Sequence, residues 1–464
     1  MARVLALMVI AVFTSHPLIA QTTDSDTRVN AIELIGRDLV LLLNQLTDGE
    51  KDPLKRLPLT PVIRKATQAV NDSPVFKLSL VNQKLAEAQR IESMAGLFPQ
   101  VSYGTGSGKR EYDLASSTGA LTRYSGDFKQ RTLTAKQVLF DFGGVWQSMT
   151  AAQKRQAATE LKADSQRSEV FLQAVRVFYE TQRGLLQVRL ARENLQARRA
   201  FVNFIRERSD LGASSSADVI RAESRVAEAL DALSSSLQTL SQAQASYRQF
   251  YNQEAEPYIL PKEISLDGID FLSIEKFVDS HPLKLEAELN LEAARNDLRA
   301  TKARFIGGVY FELSRGESKS PGDSQFKTDN TAMVMFRGEI FSGGSQYSRI
   351  QQAVARVEQA ELESDRVKQD LVRNLREAYS DYNGQVAAVS ARMLVFKGAE
   401  DSYAISKDLY AFSRSSLFEV LKSQEDLFNA GQRLIDSVVN RAVAKYKLLN
   451  AGQLLMARVE QVQN

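Results

Sequence analysis

Two periodicities divide this chain. In short segments apolar and polar residues alternate: Val309, Phe311 and Leu313 share one face of a strand, with Tyr310, Glu312 and Ser314 on the other. A partner segment sets Ala332, Val334, Phe336 and Ile340 against Met335, Arg337 and Glu339, and a weaker version sets Leu133, Ala135 and Leu139 against Thr132, Thr134 and Lys136. Two much longer segments, Val145 to Arg208 and Ser345 to Tyr410, contain no proline and are rich in Ala, Gln, Glu, Arg and Leu, all good helix formers. At about 1.5 Å per residue each predicts a helix of roughly 100 Å. Globular helices rarely exceed about 20 residues, so a coiled-coil or tubular architecture is expected. In the return helix Val226, Leu230, Leu233, Leu237 and Leu240 keep a 4-3-4-3 spacing, which predicts the packing seam.

The chain also repeats itself. Asn71-Asp72-Ser73-Pro74 resembles Asp279-Ser280-His281-Pro282 at an offset of 208, and each is followed by a helical pattern, Val75 to Ala95 and Leu283 to Arg304. Leu97 to Val101 then answers Phe305 to Val309. The glycine pairs Gly143-Gly144 and Gly343-Gly344 stand 200 apart, and the turns Leu211 to Val219 and Phe412 to Val420 stand 201 apart. Three landmarks in one order make a tandem duplication. The expected organisation is a signal peptide over 1–20, an N-terminal extension over 21–60, a first repeat over 61–250, an inter-repeat segment over 251–271 and a second repeat over 272–464. Each repeat is read as helix, β-hairpin, long helix and return helix, with hairpins at about 99–142 and 306–342. The polar, Gly/Ser-rich stretches 113–127 and 317–327 absorb the change of offset and read as loops.

One oily and one charged face over about ten residues is the pattern of a transmembrane β-strand, although a half-buried soluble hairpin shows it too. Four strands cannot close a barrel, and open edges cannot face lipid. A membrane reading therefore requires oligomerisation, and three copies give 12 strands around a lumen wide enough to be wet. The other reading is a soluble periplasmic coiled-coil scaffold or adaptor, with its hairpins as small lobes.

Composition narrows the chemistry. The 464 residues carry a net charge of +3, with 44% hydrophobic and 25% charged residues, so nothing points to nucleic acid. Arg3, the apolar run Val4 to Phe13 and a small residue at Ala20 before Gln21 form a secretory signal. There is no cysteine, which excludes disulfides, thiolate metal sites and a cysteine lipid anchor. The two histidines are His16, inside the signal, and His281, before Pro282 at a helix start. His-based triads and multi-His metal sites are excluded. No catalytic constellation, metal site or cofactor is expected.

On Ser73-Pro74, Phe98-Pro99-Gln100-Val101, the doubled glycine pairs and the two turns, the chain from about residue 61 resembles the TolC-type outer-membrane factor family. The resemblance implies an α+β membrane protein: a homotrimer with a 12-stranded barrel in outer-membrane lipid, continuous with a 12-helix periplasmic tunnel. It implies a passive exit duct for efflux or type I secretion, docked to a periplasmic adaptor (membrane fusion protein) and an inner-membrane ABC or proton-driven transporter. It also implies a gate at the turns around Gly212 and Ser413. Asp218 and Tyr410 match gate-linking positions of the family. The partner arginine falls on Ser415, with Arg414 adjacent, and an inner acidic ring falls on Glu419 and Lys422. Expected pairs are Glu419 with Lys422, and Asp218 with Arg414 or Tyr410. Asp218 and Glu419 also read as helix caps, a role compatible with the gate.

Overall fold

The computed structural model describes residues 59–115, 119–255, 264, 266 and 274–463, all in one compact unit, Arg56–Asn464. The signal peptide, nearly all of the 21–60 extension and most of 251–271 lie outside the described residues. The first repeat comprises α1 (Leu59–Asp72), α2 (Pro74–Met94), β1 (Gln100–Ala115), β2 (Leu121–Phe140), α3 (Gly144–Asp210) and α4 (Ser216–Tyr251). The second comprises α5 (Ile274–Asp279), α6 (Pro282–Ile306), β3 (Gly308–Lys319), β4 (Lys327–Arg337), α7 (Ser345–Ala411) and α8 (Leu417–Ala451), followed by α9 (Leu455–Gln463). Both long helices have 67 residues. No helix among the described residues is long and apolar enough to cross a membrane.

The repeat register differs from the glycine-pair alignment. Both long helices, both return helices and both turns stand 201 apart, as Gly144 and Ser345, or Ser216 and Leu417, show. The reason is backbone conformation. The left-handed pair that ends each hairpin is Phe142 (φ 56°) with Gly143 (88°) in one repeat, and Gly343 (62°) with Gly344 (85°) in the other. Gly143 therefore answers Gly344. Gly144 is the first helical residue, kept small because a Cβ there would stand 2.9 Å from the Asp141 carboxylate.

The strands also run through the segments read as loops. Strand β1 reaches Ala115, β2 begins at Leu121 and β3 ends at Lys319; cross-strand pairs extend the first hairpin, Tyr112 stacking on Tyr124 and Asp113 pairing with Arg123. Conversely β4 stops at Arg337, leaving Ile340 outside the sheet. Gly338 closes it there, since a Cβ at that position would stand 3.1 Å from the Phe336 ring and 3.2 Å from the Ile306 carbonyl.

Proline at the first helical position starts both α2 and α6. His281 caps α6, its Nδ1 accepting from the Leu283 amide at 3.2 Å. Burial pulls its pKa from 6.5 down to about 4. The unfolded chain thus binds a proton between those values that the folded chain refuses, so stability is full above about pH 6.5 and drains as pH falls toward 4. His281→Asn keeps a capping acceptor without titrating. Its melting midpoint is expected to fall less than wild type's over that window.

The main core lies midway along the long helices. It joins Ile63 and Val70 of α1, Phe171 and Tyr179 of α3, Leu375 of α7, Tyr446 and Leu449 of α8, and Leu455 of α9. Each such side chain contributes about 1.5–3 kcal/mol by burial. The predicted leucine seam of α4 is displaced. Its buried positions include Ala222, Ala229 and Ser236 at heptad spacing, while Leu230 and Leu237 stay exposed. Small residues allow close approach to α3, where Gly184 meets the Leu240 backbone.

Candidate functional site: sheet faces and tip turns

The four strands form one antiparallel sheet in the order β1-β2-β3-β4. Register fixes which side chains share a face. Val101 pairs with Ala135, Ala135 with Leu313 and Leu313 with Ala332. Tyr103 with Leu133 lies above this row, and Phe311 with Val334 then Val309 with Phe336 lie below it. The other face carries Gln100, Ser102, Thr134, Lys136, Glu312, Ser314 and Thr331. Exposure alternates with the faces: Phe311, Leu313 and Arg315 are exposed, whereas Glu312, Ser314 and Gly316 are half-buried. Along β3 the polar face is thus the occluded, concave one and the oily face is convex and open, whereas β1, at the sheet edge, is exposed on both faces. A soluble sheet buries its oily face on a core; this one presents it outward, as a lipid-facing wall does. The soluble-lobe reading fails on this point.

An exposed apolar collar rings the junction of sheet and helices, and it is doubled by the repeat. Leu139, Phe140 and Trp146 answer Ile340, Phe341 and Tyr347 at the common offset of 201, all of them exposed. Aromatic side chains of this kind settle at a membrane–water boundary. A bulge between Val138 and Phe140 turns Phe140 onto the lipid face beside Val309.

At the far end of the helices, each turn closes by the same backbone bonds. The Ala213 amide donates to the Arg208 carbonyl at 2.7 Å, and the Arg414 amide donates to the Leu409 carbonyl at 2.8 Å. Gly212 (φ 71°) and Ser413 (φ 59°) hold the left-handed positions. Asp218 completes a capping box with Ser215 and pairs with Arg221 at 3.5 Å. It meets neither Arg414 nor Tyr410. Lys422 pairs with Asp426 at 3.0 Å rather than with Glu419, an ion pair that raises its pKa. Glu419 instead accepts from the Ser415 hydroxyl at 2.6 Å, while its amide donates to Ser416 Oγ. Arg414 is exposed. Tyr410 is buried among Phe201, Leu417 and Leu421, and its hydroxyl lies 3.4 Å from Ser214 Oγ.

The cation that does bridge the turns is Arg208, which sequence reasoning passed over. From the last turn of α3 it donates to the carbonyls of Tyr410 and Ala411 at 3.1 and 3.2 Å and to Ser413 Oγ at 2.9 Å. Its guanidinium also lies over the rings of Phe204 and Tyr410. A basic residue in the last turn of a long helix was the available signal, since cations cap helix C-termini. Here it caps the helix of the other repeat. Farther from the turns Arg198 is buried, donating to the Arg225 carbonyl at 2.8 Å and reaching Glu228 at 3.5 Å; burial lowers its pKa.

A membrane-facing sheet whose strands pass directly into helices of 67 residues is the wall of a channel that leaves the membrane as a tube. The chain belongs to the outer membrane efflux protein family, whose model matches residues 66–253 and 275–451. It is similar to the alkaline protease secretion protein AprF of Pseudomonas aeruginosa, 22% identical over 409 residues, covering 82% of this chain and 81% of that one. It is also similar to the outer membrane efflux protein BepC of Brucella suis, 24% identical over 321 residues, covering 68% and 70%. Among solved structures, a membrane protein from Pseudomonas aeruginosa aligns with a TM-score of 0.76 at 19% identity, covering 87% of this chain and 99% of that one. The outer membrane protein VceC from Vibrio cholerae aligns with a TM-score of 0.73 at 17% identity, covering 85% and 95%. The protein is therefore an outer-membrane exit duct with a periplasmic tunnel, a channel and not an enzyme.

Proposed function

We propose that three chains close head to tail into the working duct. What supports this is an asymmetry between repeats that match in length. Helix α3 buries 24 residues and its counterpart α7 only 8; α8 buries 17 and its counterpart α4 only 6. Among the described residues α6 packs on both α3 and α7, whereas its counterpart α2 packs mainly on α3, with lesser contacts to α1 and to the turn that follows it. The sheet likewise joins β2 to β3 and leaves β1 and β4 as edges. A neighbouring copy supplies each missing contact: β1 on β4, with α2 and α4 on α7. The uncovered faces are oily, with Leu78, Val81 and Leu85 on α2, Leu230 and Leu237 on α4, and Leu362 and Leu394 on α7, all exposed. Two chains would give eight strands, a barrel that side chains fill; twelve leave a wet lumen. Native mass spectrometry of the detergent-extracted protein is expected to count three chains, and Leu394→Arg to cut that species severalfold. A monomer or dimer as the main form would overturn the reading.

The turns at the far end form the constriction in this proposal. Arg208 sets their shape, and Asp218, Tyr410, Arg414, Ser415, Glu419 and Lys422 line or brace the mouth. This end docks a periplasmic adaptor and, through it, an inner-membrane transporter, either an ABC or a proton-driven one. The names of the relatives fit both protein secretion and efflux, AprF being an alkaline protease secretion protein and TtgC of Pseudomonas putida a toluene efflux pump outer membrane protein.

A further inference from the structure

A tilted strand crosses hydrocarbon in about 9 to 11 residues. Counted from the collar, that span ends near Gln130 to Thr132 on β2, near Glu317 to Lys319 on β3 and near Gly108 to Arg110 on β1. The outward-facing residues at that level are Lys109, Lys129, Arg131 and Lys319, with Arg315 one row nearer the collar. Only two acids share the face there, Asp127 beside Lys109 and Glu317 beside Arg131. Glu317 is shared between Arg315 at 3.1 Å and Arg131 at 4.0 Å. Lys129 and Lys319 stand directly opposite one another across the β2–β3 ladder, an arrangement that like charges make unfavourable. Farther out the charges settle among themselves, Arg123 pairing with Glu111 at 3.4 Å and Asp113 at 3.1 Å. The belt therefore sets five cations against two acids, at the height where the lipid tails end on the side away from the helices; Lys319 meanwhile reaches the Ser324 carbonyl of the adjoining turn at 3.4 Å, close to Asp323.

We propose that this belt is a binding site for the phosphate groups of an anionic lipid headgroup in the outer leaflet, with Lys129 and Lys319 as its centre and Arg131 and Lys109 flanking them. A phosphate seated between the two lysines turns their repulsion into a shared contact. The guanidinium of Arg131, which lies 5.4 Å from the Phe326 ring centroid, is held at the edge of the same patch. Phosphate carried on a lipid, rather than free in solution, is the occupant because the belt adjoins Tyr103 and Leu133, the last oily row of the wall. The proposal rests on the sheet being a barrel wall.

The test compares wild type with the Lys129→Gln/Lys319→Gln double variant in two kinds of vesicle. One is phosphatidylcholine alone, the other phosphatidylcholine doped with diphosphorylated lipid A. After detergent extraction, native mass spectrometry is expected to find lipid A retained on wild type. Retention by the double variant should fall about thirtyfold, at about fivefold for each cation removed from a lipid surface. Melting temperatures should change order: the variant melts above wild type in phosphatidylcholine, where the lysine repulsion is gone, and below it with lipid A. Arg123→Gln, beyond the belt, should retain lipid A as wild type does. Equal retention by wild type and the double variant, both inserted as oligomers, overturns the site alone. Full competition by inorganic phosphate overturns the lipid assignment. Failure of wild type to insert in either vesicle overturns the barrel wall, and the site with it.

Discussion

Leu313→Arg and Phe311→Arg are expected to abolish most of the membrane-inserted oligomer, while Ser314→Arg leaves it largely intact. Leu313 lies on the convex face, paired with Ala135 and Ala332 near the middle of the apolar rows, and Phe311 lies one row nearer the collar. An arginine on the lipid face costs about 2–4 kcal/mol at the bilayer midplane and falls toward about 0–1 near its surfaces. Leu313→Arg should therefore be the worse of the two. In a closed trimer each substitution is present three times. Ser314 is the adjacent residue at the same depth, but it lies on the concave face with Thr134 and Thr331. A charge there remains in a wet lumen. Heat-modifiable oligomer recovered from the outer-membrane fraction is the measurement. Equal loss in all three variants would mean that the two faces are not lipid and lumen.

Much of this was legible in the residues. The long helices could be placed to within two residues because no proline interrupts them; alternation in β3 and β4 located the second hairpin less closely, since β4 stops at Arg337 and the expected end was 342. What misled was chemistry whose meaning depends on the backbone. Two adjacent glycines look like one motif, yet Gly144 needs space beside Asp141 whereas Gly143 needs a positive φ. Only the second need is shared with Gly344. The leucines of α4 form a heptad pattern, yet Leu230 and Leu237 stay exposed and, of the five predicted positions, Leu240 alone is buried; the buried line inside the chain runs through Ala222, Ala229 and Ser236. At the turns, spacing finds caps reliably, since Ser215 and Asp218 are three apart. It cannot find Arg208, whose partners lie more than 200 residues away.

That cation carries the last prediction. Arg208→Ala is expected to raise single-channel conductance in planar bilayers with oligomer yield unchanged, and Asp218→Ala is not. Arg208 holds the end of α7 by hydrogen bonds to the Tyr410 and Ala411 carbonyls and to Ser413, each charge-assisted. Such bonds contribute about 1.5–3 kcal/mol apiece when sheltered. The group is only half-buried, so about 2 kcal/mol per chain is a fair total, a factor of roughly 30 in the population of the closed turn. Three copies around one mouth multiply that bias. Arg208→Lys keeps the charge but loses the fork that spans two carbonyls, and should fall between wild type and alanine. Asp218, by contrast, acts inside its own helix, through Ser215 and Arg221. Its loss costs about 1 kcal/mol of capping and leaves the link between repeats in place. Tyr410→Phe removes one long contact to Ser214 and keeps the ring under Arg208. A rise in conductance for Asp218→Ala with none for Arg208→Ala would move the closing contact from within each chain to the contacts between chains.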